Sequence, residues 1–439
     1  MPLSYKKIEV YLFCFFLFSV PFQIRKILYY PGWMFNEWQA VVVYGTDILI
    51  ALLLLLWAAK GYNFLIFNFQ FTKSIQWQIF KNPDFYLVLF VIISAISIKN
   101  SSAFYLSFYS LLKLIEFVLL YLYIKYYAIY RFDHFWSLLV LIWGGVFQAG
   151  VAVAQFIRQE SLGLWFFGES VLSHEIRGVA VFLNEYGERV VRAYGTTPHP
   201  NVLAGFLLLV LFAFCAAYFF FRKKISAGLL NIPISLVYGL LLFGFYLTFS
   251  RTVIFIGGVS LGVGLLWIFK EYKEKRKSVV GFIVMTLIIS GVFLALFWPE
   301  VSSRLKLNAD DEAVTMRIFY NKESLKSGFN LFGIGTGNFV NWLMENSRSL
   351  SYWIYQPVHN IYLLIYSETG ILGIGAFILF LLFSFRRAVL KHNPYFIILA
   401  YSLLLVGLFD HFLWTLQQGR IVFWLALAGL TFSKSRDTI

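Results

Sequence analysis

Charged residues are scarce in this chain of 439 residues: only 13% are Asp, Glu, Lys or Arg. Soluble globular proteins carry about 25% charged residues, so the composition excludes an ordinary water-soluble domain. Hydrophobic residues make up 60% of the chain, in runs approaching the roughly 20 residues that a helix needs to cross the hydrocarbon layer. A membrane β-barrel would instead require strict alternation of polar and apolar residues. The sequence therefore predicts an all-α integral membrane protein.

Cysteine is almost as scarce, and this excludes further classes of protein. The two cysteines, Cys14 and Cys215, both lie in apolar runs, so neither a disulfide framework nor a cysteine metal site is expected. No two of the six histidines have metal-ligand spacing on a helix, and neither a metal nor another cofactor is predicted. The net charge of +14 lies in short basic clusters between apolar runs. That pattern sets membrane orientation and argues against nucleic-acid binding.

The apolar runs predict about twelve transmembrane helices with both termini in the cytoplasm. In this orientation, basic clusters such as Arg222–Lys224 and Lys273–Lys277 face the cytoplasm, as short loops rich in Lys and Arg usually do. The predicted spans are 8–22, 41–58, 84–98, 103–124, 135–157, 200–221, 232–249, 252–269, 279–298, 359–384, 395–413 and 419–433.

Two long loops then fall on the outer side and divide the chain into five parts. We expect transmembrane helices 1–5 in residues 1–157, a first extracytoplasmic loop at 158–199, helices 6–9 in 200–298, a large extracytoplasmic loop at 299–358, and helices 10–12 with a cytoplasmic tail in 359–439. The stretch 178–194 predicts two short strands around a turn. Residues 313–327 predict a helix on or near the membrane surface.

Two polar motifs border apolar spans at the outer side. The first, Arg192-Ala-Tyr-Gly-Thr-Thr-Pro-His-Pro-Asn201, runs into a helix whose free N–H groups could bind an anion with help from His199 and Asn201. It is equally typical of a well-capped helix start. The second, Thr248-Phe-Ser-Arg-Thr252, places Arg251 so close to hydrocarbon that it must reach water, headgroups or a bound anion.

Two further motifs lie in and after the second loop. Arg317 precedes a glycine-rich segment, Asn330–Phe339, in which Gly335 and Gly337 permit tight turns and close backbone approach. The other motif, beginning at His359, opens the tenth span, where an imidazole can exchange protons with water. Alone, such a histidine is more often structural. Glu368 in the same span is expected to pair with another helix.

In this order, the four motifs resemble those of the O-antigen ligase and polymerase superfamily. The resemblance rests on RAYGTTPHPNVLAGF, TFSRT, the arginine of TMRIFYNKESLKSGFNLFGIGTGNF, and HNIYLLIYSETGILG, all within residues 192–375. It implies a GT-C-like helix bundle in the bacterial cytoplasmic (inner) membrane. It also implies transfer of a glycan from undecaprenyl diphosphate to a sugar hydroxyl, on a second glycan or on the lipid A core of lipopolysaccharide, at the outer face.

The resemblance also implies roles for individual residues, without a metal. His359 and Arg251 would be catalytic, the histidine orienting or deprotonating the acceptor hydroxyl. Fixed guanidinium groups suit a diphosphate leaving group because they bind its oxygens bidentately. The residues expected at the diphosphate are Arg251, Arg317, Arg192, His199 and Asn201; those expected to support the site are Asn360, Tyr362, Gly335 and Gly337.

A multi-span transporter of a small anion such as bicarbonate is the alternative. A transporter should have broken helices and ionisable residues near the middle of the membrane. Lys113 and Glu116 are such residues, but their spacing of three predicts that they pair with each other. The other polar residues gather on one side, which favours an enzyme.

Overall fold

A computed structural model describes residues 5–32, 35–60, 80–306, 312–327, 330–347, 350–391 and 394–432. Within them, helices dominate and two short antiparallel strand pairs accompany them. The predicted cytoplasmic tail after residue 432 lies outside the described residues. The helices are α1 Tyr5–Ser19, α2 Gly45–Ala59, α3 Pro83–Ser97, α4 Phe104–Tyr123, α5 His134–Arg158, α6 Pro200–Phe220, α7 Arg222–Gly228, α8 Ile234–Leu247, α9 Arg251–Glu271, α10 Arg276–Leu296, α11 Trp298–Leu305, α12 Glu312–Lys326, α13 Phe339–Asn346, α14 Ile361–Leu390, α15 Pro394–Val406, α16 Phe412–Thr415 and α17 Gln417–Gly429.

A helix lies at each predicted span, so the all-α membrane class is confirmed for the described residues. Seven of these helices are long and apolar enough to cross a membrane, and α2, α8 and α15 are shorter apolar helices. The number that cross, and the GT-C-like arrangement, stay predictions.

Helix α6 is the centre of the bundle. In its most apolar stretch 94% of the residues are buried, against 17% for the segment that contains α10. The central helix packs against α5, α8, α9 and α17, while α10 lies at the periphery. A helix that is apolar on every face and buried on every face belongs in a core. We call the end of the bundle where α6, α9 and α14 begin the site end.

The two long loops fold as the sequence predicts. Strands β3 Val181–Leu183 and β4 Arg189–Val191 form an antiparallel pair in the first loop, and α12 lies in the second. A strand pair that was not predicted, β1 Arg25–Tyr29 with β2 Val41–Tyr44, precedes α2. These loop elements gather at the site end because they connect the helix ends found there.

Helix α14 is broken at Gly370, where φ is 72° and ψ is −171°. The glycine-rich segment fills the break: the N–H groups of Ile334 and Gly335 donate to the carbonyls of Ser367 and Glu368 at 2.9 and 3.0 Å. Across the break, the N–H of Ile371 donates to Asn330 at 3.1 Å. The polar backbone groups freed by the break are therefore satisfied by protein, as burial at this depth requires.

The buried charges of α4 pair as predicted. Lys113 Nζ lies 3.1 Å from a carboxylate oxygen of Glu116 and 2.5 Å from one of Asp47 in α2. Paired charges of opposite sign avoid most of the cost of burial in an apolar medium.

Gly370→Ala is expected to destabilise the fold by about 1–3 kcal/mol because a side chain at positive φ is strained. A Cβ there would also lie 2.4 Å from the Asn330 carbonyl oxygen. Thermal unfolding of the purified protein measures the effect. Gly375→Ala in the same helix is the matched control, since its Cβ meets nothing within 4 Å. Equal midpoints for the two variants would contradict this account of the break.

Candidate functional site

Arg192 connects two of the sequence motifs. It follows β4 directly, and its Nε donates to the carbonyl of Thr248 at 2.7 Å. Its Nη2 donates to Oδ1 of Asn201 at 2.6 Å. The short loop before α9 and the first turn of α6 are thereby held against the end of the first loop.

Asn201 extends this connection to the segment between α15 and α16. Its Nδ2 donates to Oδ2 of Asp410 at 2.6 Å, and its backbone N–H donates to Nδ1 of His199 at 3.2 Å. His199 is the N-cap of α6, so the interpretation as a helix cap describes it correctly. The side-chain amide of Asn201 binds protein on both sides. Asn201 therefore positions Arg192 and Asp410 in this structure.

Two imidazoles meet beside Asp410. The ring centroids of His359 and His411 are 4.7 Å apart, nearly perpendicular. Tyr320 of α12 stacks on His359 at 5.3 Å, and Trp38 lies edge-on to His411 at 5.1 Å. Nδ1 of His411 lies 2.7 Å from Oγ1 of Thr415. We call Arg192, His199, Asn201, His359, Asp410 and His411 the polar cluster.

Burial keeps the imidazoles of the polar cluster neutral near pH 7. It lowers the pKa of His199 and of His411 to about 3 each. Burial also lowers the pKa of His359, and the guanidinium of Arg317 acts in the same direction. A neutral imidazole can accept a proton, so His359 has the protonation state that a general base needs.

His359 also retains hydrogen-bonding capacity. Its Nδ1 is buried and makes no hydrogen bond of normal geometry to the described residues. The Pro357 carbonyl lies close enough to favour the protonated ring. An unsatisfied buried polar atom costs free energy, so a hydrogen bond from a ligand to this ring nitrogen would be favourable.

Asp410 and Arg192 keep their charges. Burial would raise the pKa of Asp410, but His411, His359 and His199 together with the amide of Asn201 lower it below its ordinary value. Burial lowers the pKa of Arg192 to about 9, which is still above neutral pH. The polar cluster therefore holds one fixed positive and one fixed negative charge, joined through Asn201.

Three further guanidinium groups surround the polar cluster. Arg251, the first residue of α9, and Arg304 of α11 both act on Arg192 by lowering its pKa. Nη2 of Arg304 is 3.5 Å from the carbonyl of Phe249, in the motif that contains Arg251. Arg317 of α12 acts on His359. This excess of positive charge around one end of the bundle favours an anionic ligand.

The four residues predicted to support the site have structural partners. Asn360 is the N-cap of α14 and accepts from the N–H of Tyr362 at 2.9 Å, so His359 lies before the helix rather than on its face. The hydroxyl of Tyr362 donates to the Leu404 carbonyl at 2.9 Å. The backbone N–H of Gly335 binds the Glu368 carbonyl, and a Cβ at Gly337, where φ is 71°, would lie 1.9 Å from Oγ of Ser110.

Glu368 pairs with another helix, as expected. Its buried carboxylate lies 3.5 Å from the backbone N–H of Phe339, the first residue of α13, which donates to it. A carboxylate at a helix N-terminus is stabilised by the free N–H groups there.

Sequence reasoning missed Asp410, His411 and Arg304. The signal for the first two was an adjacent Asp-His pair near the outer end of the predicted span 395–413, although the helix itself ends at Val406. Arg304 lies in a loop with several basic residues, and its position became clear only from the packing of α11.

Among the described residues, no group of three or more His, Cys, Asp or Glu side chains is arranged to hold a metal ion. Metal independence therefore stays a prediction.

The bundle of apolar helices defines a multi-pass membrane protein, with guanidinium groups and buried imidazoles at one end. A family model described as O-antigen ligase matches residues 234–378, about a third of the chain. This match confirms the resemblance to the O-antigen ligase and polymerase superfamily for these residues. No curated protein matches the chain significantly.

The matched region contains Arg251, Arg317 and His359, while Arg192, Asn201 and Asp410 lie outside it. The match supports a membrane glycan ligase or polymerase activity and does not favour the transporter alternative. Together with the apolar helices, it indicates a bacterial inner-membrane protein.

Acidification is expected to destabilise the protein through the buried histidines. The pKa of His411 is about 3 in the fold against an ordinary 6.5. Between these values the unfolded chain binds more protons, so the free energy of unfolding falls as the pH falls. His411→Asn should show a smaller decrease in unfolding temperature between pH 7.5 and 5 than the wild type, by roughly a third if His199, His359 and His411 contribute alike.

The control is His174→Asn, because the His174 side chain is 48% exposed. It should follow the wild-type curve. If His411→Asn also follows that curve, the buried imidazole does not set the acid sensitivity.

Proposed function

We propose that the protein transfers a glycan from an undecaprenyl diphosphate-linked donor to a sugar hydroxyl at the outer face of the membrane. The observation that carries the proposal is a buried cluster that joins His359, His411 and Asp410 to Arg192 through Asn201, with Arg317 acting on His359 and Arg251 and Arg304 acting on Arg192. The four motifs of the superfamily meet at this end of the bundle: Arg192 binds the Thr248 carbonyl, Tyr320 stacks on His359, and His199 and His359 both act on Asp410.

The guanidinium groups would bind the diphosphate. As the bond between the anomeric carbon and the diphosphate oxygen breaks, negative charge develops on the leaving group. Preorganised guanidinium groups stabilise that charge without having to reorient during the reaction. Arg251 and Arg317 are the groups that we assign to this role. Arg192, whose hydrogen bonds orient it, and Arg304 add positive charge beside them.

His359 would act on the acceptor. The acceptor oxygen attacks the anomeric carbon, its proton passes to a ring nitrogen of His359, and undecaprenyl diphosphate leaves with the bonding electron pair. This single displacement inverts the anomeric centre. Tyr320 and His411 fix the ring from two directions, which supports the orientation that proton transfer needs.

The site end would face the periplasm or the cell exterior. With both termini in the cytoplasm, the helix ends that carry the polar cluster are the outer ends. The polyprenyl chain of the donor would lie in the outer leaflet, against the apolar helices beside these ends. Its diphosphate would then lie at the level of the polar cluster.

Replacement of either principal residue should abolish most glycan transfer by the purified protein. His359→Ala removes the proton acceptor, for which a decrease of about 10²- to 10⁴-fold is expected. Arg251→Ala removes a charge at the leaving group, for which about 10²- to 10³-fold is expected. The rate is measured with the lipid-linked donor in detergent or in nanodiscs.

The matched controls are His174→Ala and Arg158→Ala in the same predicted outer loop. Both side chains are about half exposed or more, at 48% and 61%, and neither belongs to the polar cluster. The controls should keep wild-type rates. Near-normal rates in both His359→Ala and Arg251→Ala would reject the assigned roles.

The surface glycan of a deletion strain distinguishes ligase from polymerase, which share these motifs. Loss of a ligase should leave full-length chains on the lipid carrier, whereas loss of a polymerase should leave single repeats there. Gel analysis of the carrier-linked glycans reads out the chain length. If the deletion strain makes wild-type glycans, the protein is neither the ligase nor the polymerase of that glycan.

A further inference from the structure

A cavity adjoins the polar cluster on the side away from Arg192. Its volume is about 110 Å³, and it is lined at the site end by the turn before β2, by α4, by the glycine-rich segment and by the start of α17. At roughly 10–15 Å³ for each water-sized group, it has room for about one sugar ring. Because Trp38 and Trp414 both line it, we call it the aromatic cavity.

The aromatic cavity and the imidazoles share a wall. Trp38 and Thr415 line the cavity, and both contact His411, through the ring contact at 5.1 Å and the hydrogen bond at 2.7 Å. His411 in turn contacts His359. On the opposite side, Asp410 connects through Asn201 to Arg192. His411 therefore connects the wall of the cavity to His359, and Asp410 connects the same cluster to Arg192.

Direct displacement requires the leaving group, the anomeric carbon and the attacking hydroxyl to lie roughly in line. The attacking hydroxyl approaches the anomeric carbon from the side opposite the leaving group, and the base must lie beside that hydroxyl. If the arginines hold the diphosphate, the acceptor belongs across the imidazoles from them. The aromatic cavity adjoins the imidazoles through Trp38 and Thr415, and Pro357, two residues before His359, lines it.

The lining fits a hydroxylated ring. Aromatic rings such as Trp38, Trp414 and Tyr109 offer flat apolar faces to the C–H bonds of a sugar, and charged groups offer hydrogen bonds to its hydroxyls. Arg25 and Glu37 both line the cavity, with an ion pair at 3.5 Å and side chains 27% and 35% exposed. A pair this long and this exposed is weak, so a ligand hydroxyl can replace either partner.

The wall that carries Glu37 is held in place. Asn36 caps the short 3₁₀ turn Glu37–Gln39 by accepting from the N–H of Trp38 at 2.9 Å. Its Nδ2 donates to the Tyr355 carbonyl in the second long loop at 3.1 Å. Across the cavity, Nε of Arg420 donates to the Trp414 carbonyl at 2.6 Å. Preorganised walls of this kind reduce the entropy that binding must overcome.

We propose that the aromatic cavity binds the terminal sugar ring of the glycan acceptor, with Glu37 and Arg25 as specificity-determining residues. This inference rests on the proposed transferase function. It places the specificity-determining residues in the segment between the first two membrane helices, outside the region that matches the family model.

The test measures the affinity of two probes for the full-length protein in nanodiscs. One probe is the lipid-free oligosaccharide that mild acid releases from the carrier-linked glycans of the producing cells, and the other is inorganic pyrophosphate. Quenching of tryptophan fluorescence, checked by calorimetry, gives both dissociation constants. Glu37→Gln should weaken oligosaccharide binding at least tenfold and change pyrophosphate binding less than twofold. Arg251→Gln should do the reverse.

Glu160→Gln is the matched control. Glu160 also pairs with an arginine, Arg158, at 3.9 Å, and is 58% exposed, but it lies in the first loop away from the cavity. The control should leave both affinities unchanged.

The remaining outcomes separate this inference from the proposed function. Unchanged oligosaccharide affinity in Glu37→Gln, or no oligosaccharide binding by the wild type, overturns the cavity assignment even when glycan transfer is intact. If the wild type binds oligosaccharide in a Glu37-dependent manner but transfers no glycan, the sugar site stands and the proposed transferase function is wrong. Arg25→Gln should repeat the effect of Glu37→Gln, which guards against a local folding defect at one position.

Discussion

The hydrogen-bonded series Arg192–Asn201–Asp410 is the interaction on which the rest of the site depends. It joins a buried cation and a buried anion through one amide, with distances of 2.6 Å on both sides. Burying either charge alone would cost several kcal/mol, and breaking a buried pair by removing one partner costs about 3–5 kcal/mol. The series therefore fixes the first loop, the start of α6 and the segment before α16 relative to one another. His359 and His411 contact each other, and Asp410 acts on both.

The helices were predictable because each apolar run is a local property of the chain. In the water-free bilayer core, such a run satisfies its own backbone hydrogen bonds by forming a helix. The strand pair in the first loop was predictable for the same reason, since turn and strand signals are local. The positions of Asp410 and His411 were not predictable, because their neighbours are 209 and 52 residues away and no local pattern specifies such a contact. Glu368 shows a related limit. A buried carboxylate needs a partner, but only the tertiary structure reveals that the backbone N–H of Phe339 in α13 supplies it.

The break in α14 shows why a feature must be interpreted from its surroundings. A discontinuous helix with an exposed backbone is typical of ion sites in transporters. Here the carbonyls of Ser367 and Glu368 and the N–H of Ile371 are bound by the glycine-rich segment, so the break anchors a loop rather than forming a site for a small ion. The same contacts place Gly337 and Thr336 in the wall of the aromatic cavity. One helix interruption thus connects the stability of α14 to the shape of the space next to the imidazoles.

In the proposed reaction, one side of the site binds the anionic donor and the other side recognises the neutral acceptor. Cations around Arg192 attract an anion and would favour any phosphate-bearing molecule of the outer leaflet, so charge alone gives little selectivity. Selectivity has to come from groups that bind neutral hydroxyls, and in the proposed acceptor subsite these are aromatic rings, the Arg25–Glu37 ion pair and Arg420. His359 can serve both sides only while it is neutral, because a protonated ring would bind the diphosphate instead of accepting a proton. Burial between Tyr320 and His411 maintains the neutral state. In the proposed transferase, the enclosure of the imidazoles is therefore the condition that would allow an anion site and a sugar site to function as one reaction centre.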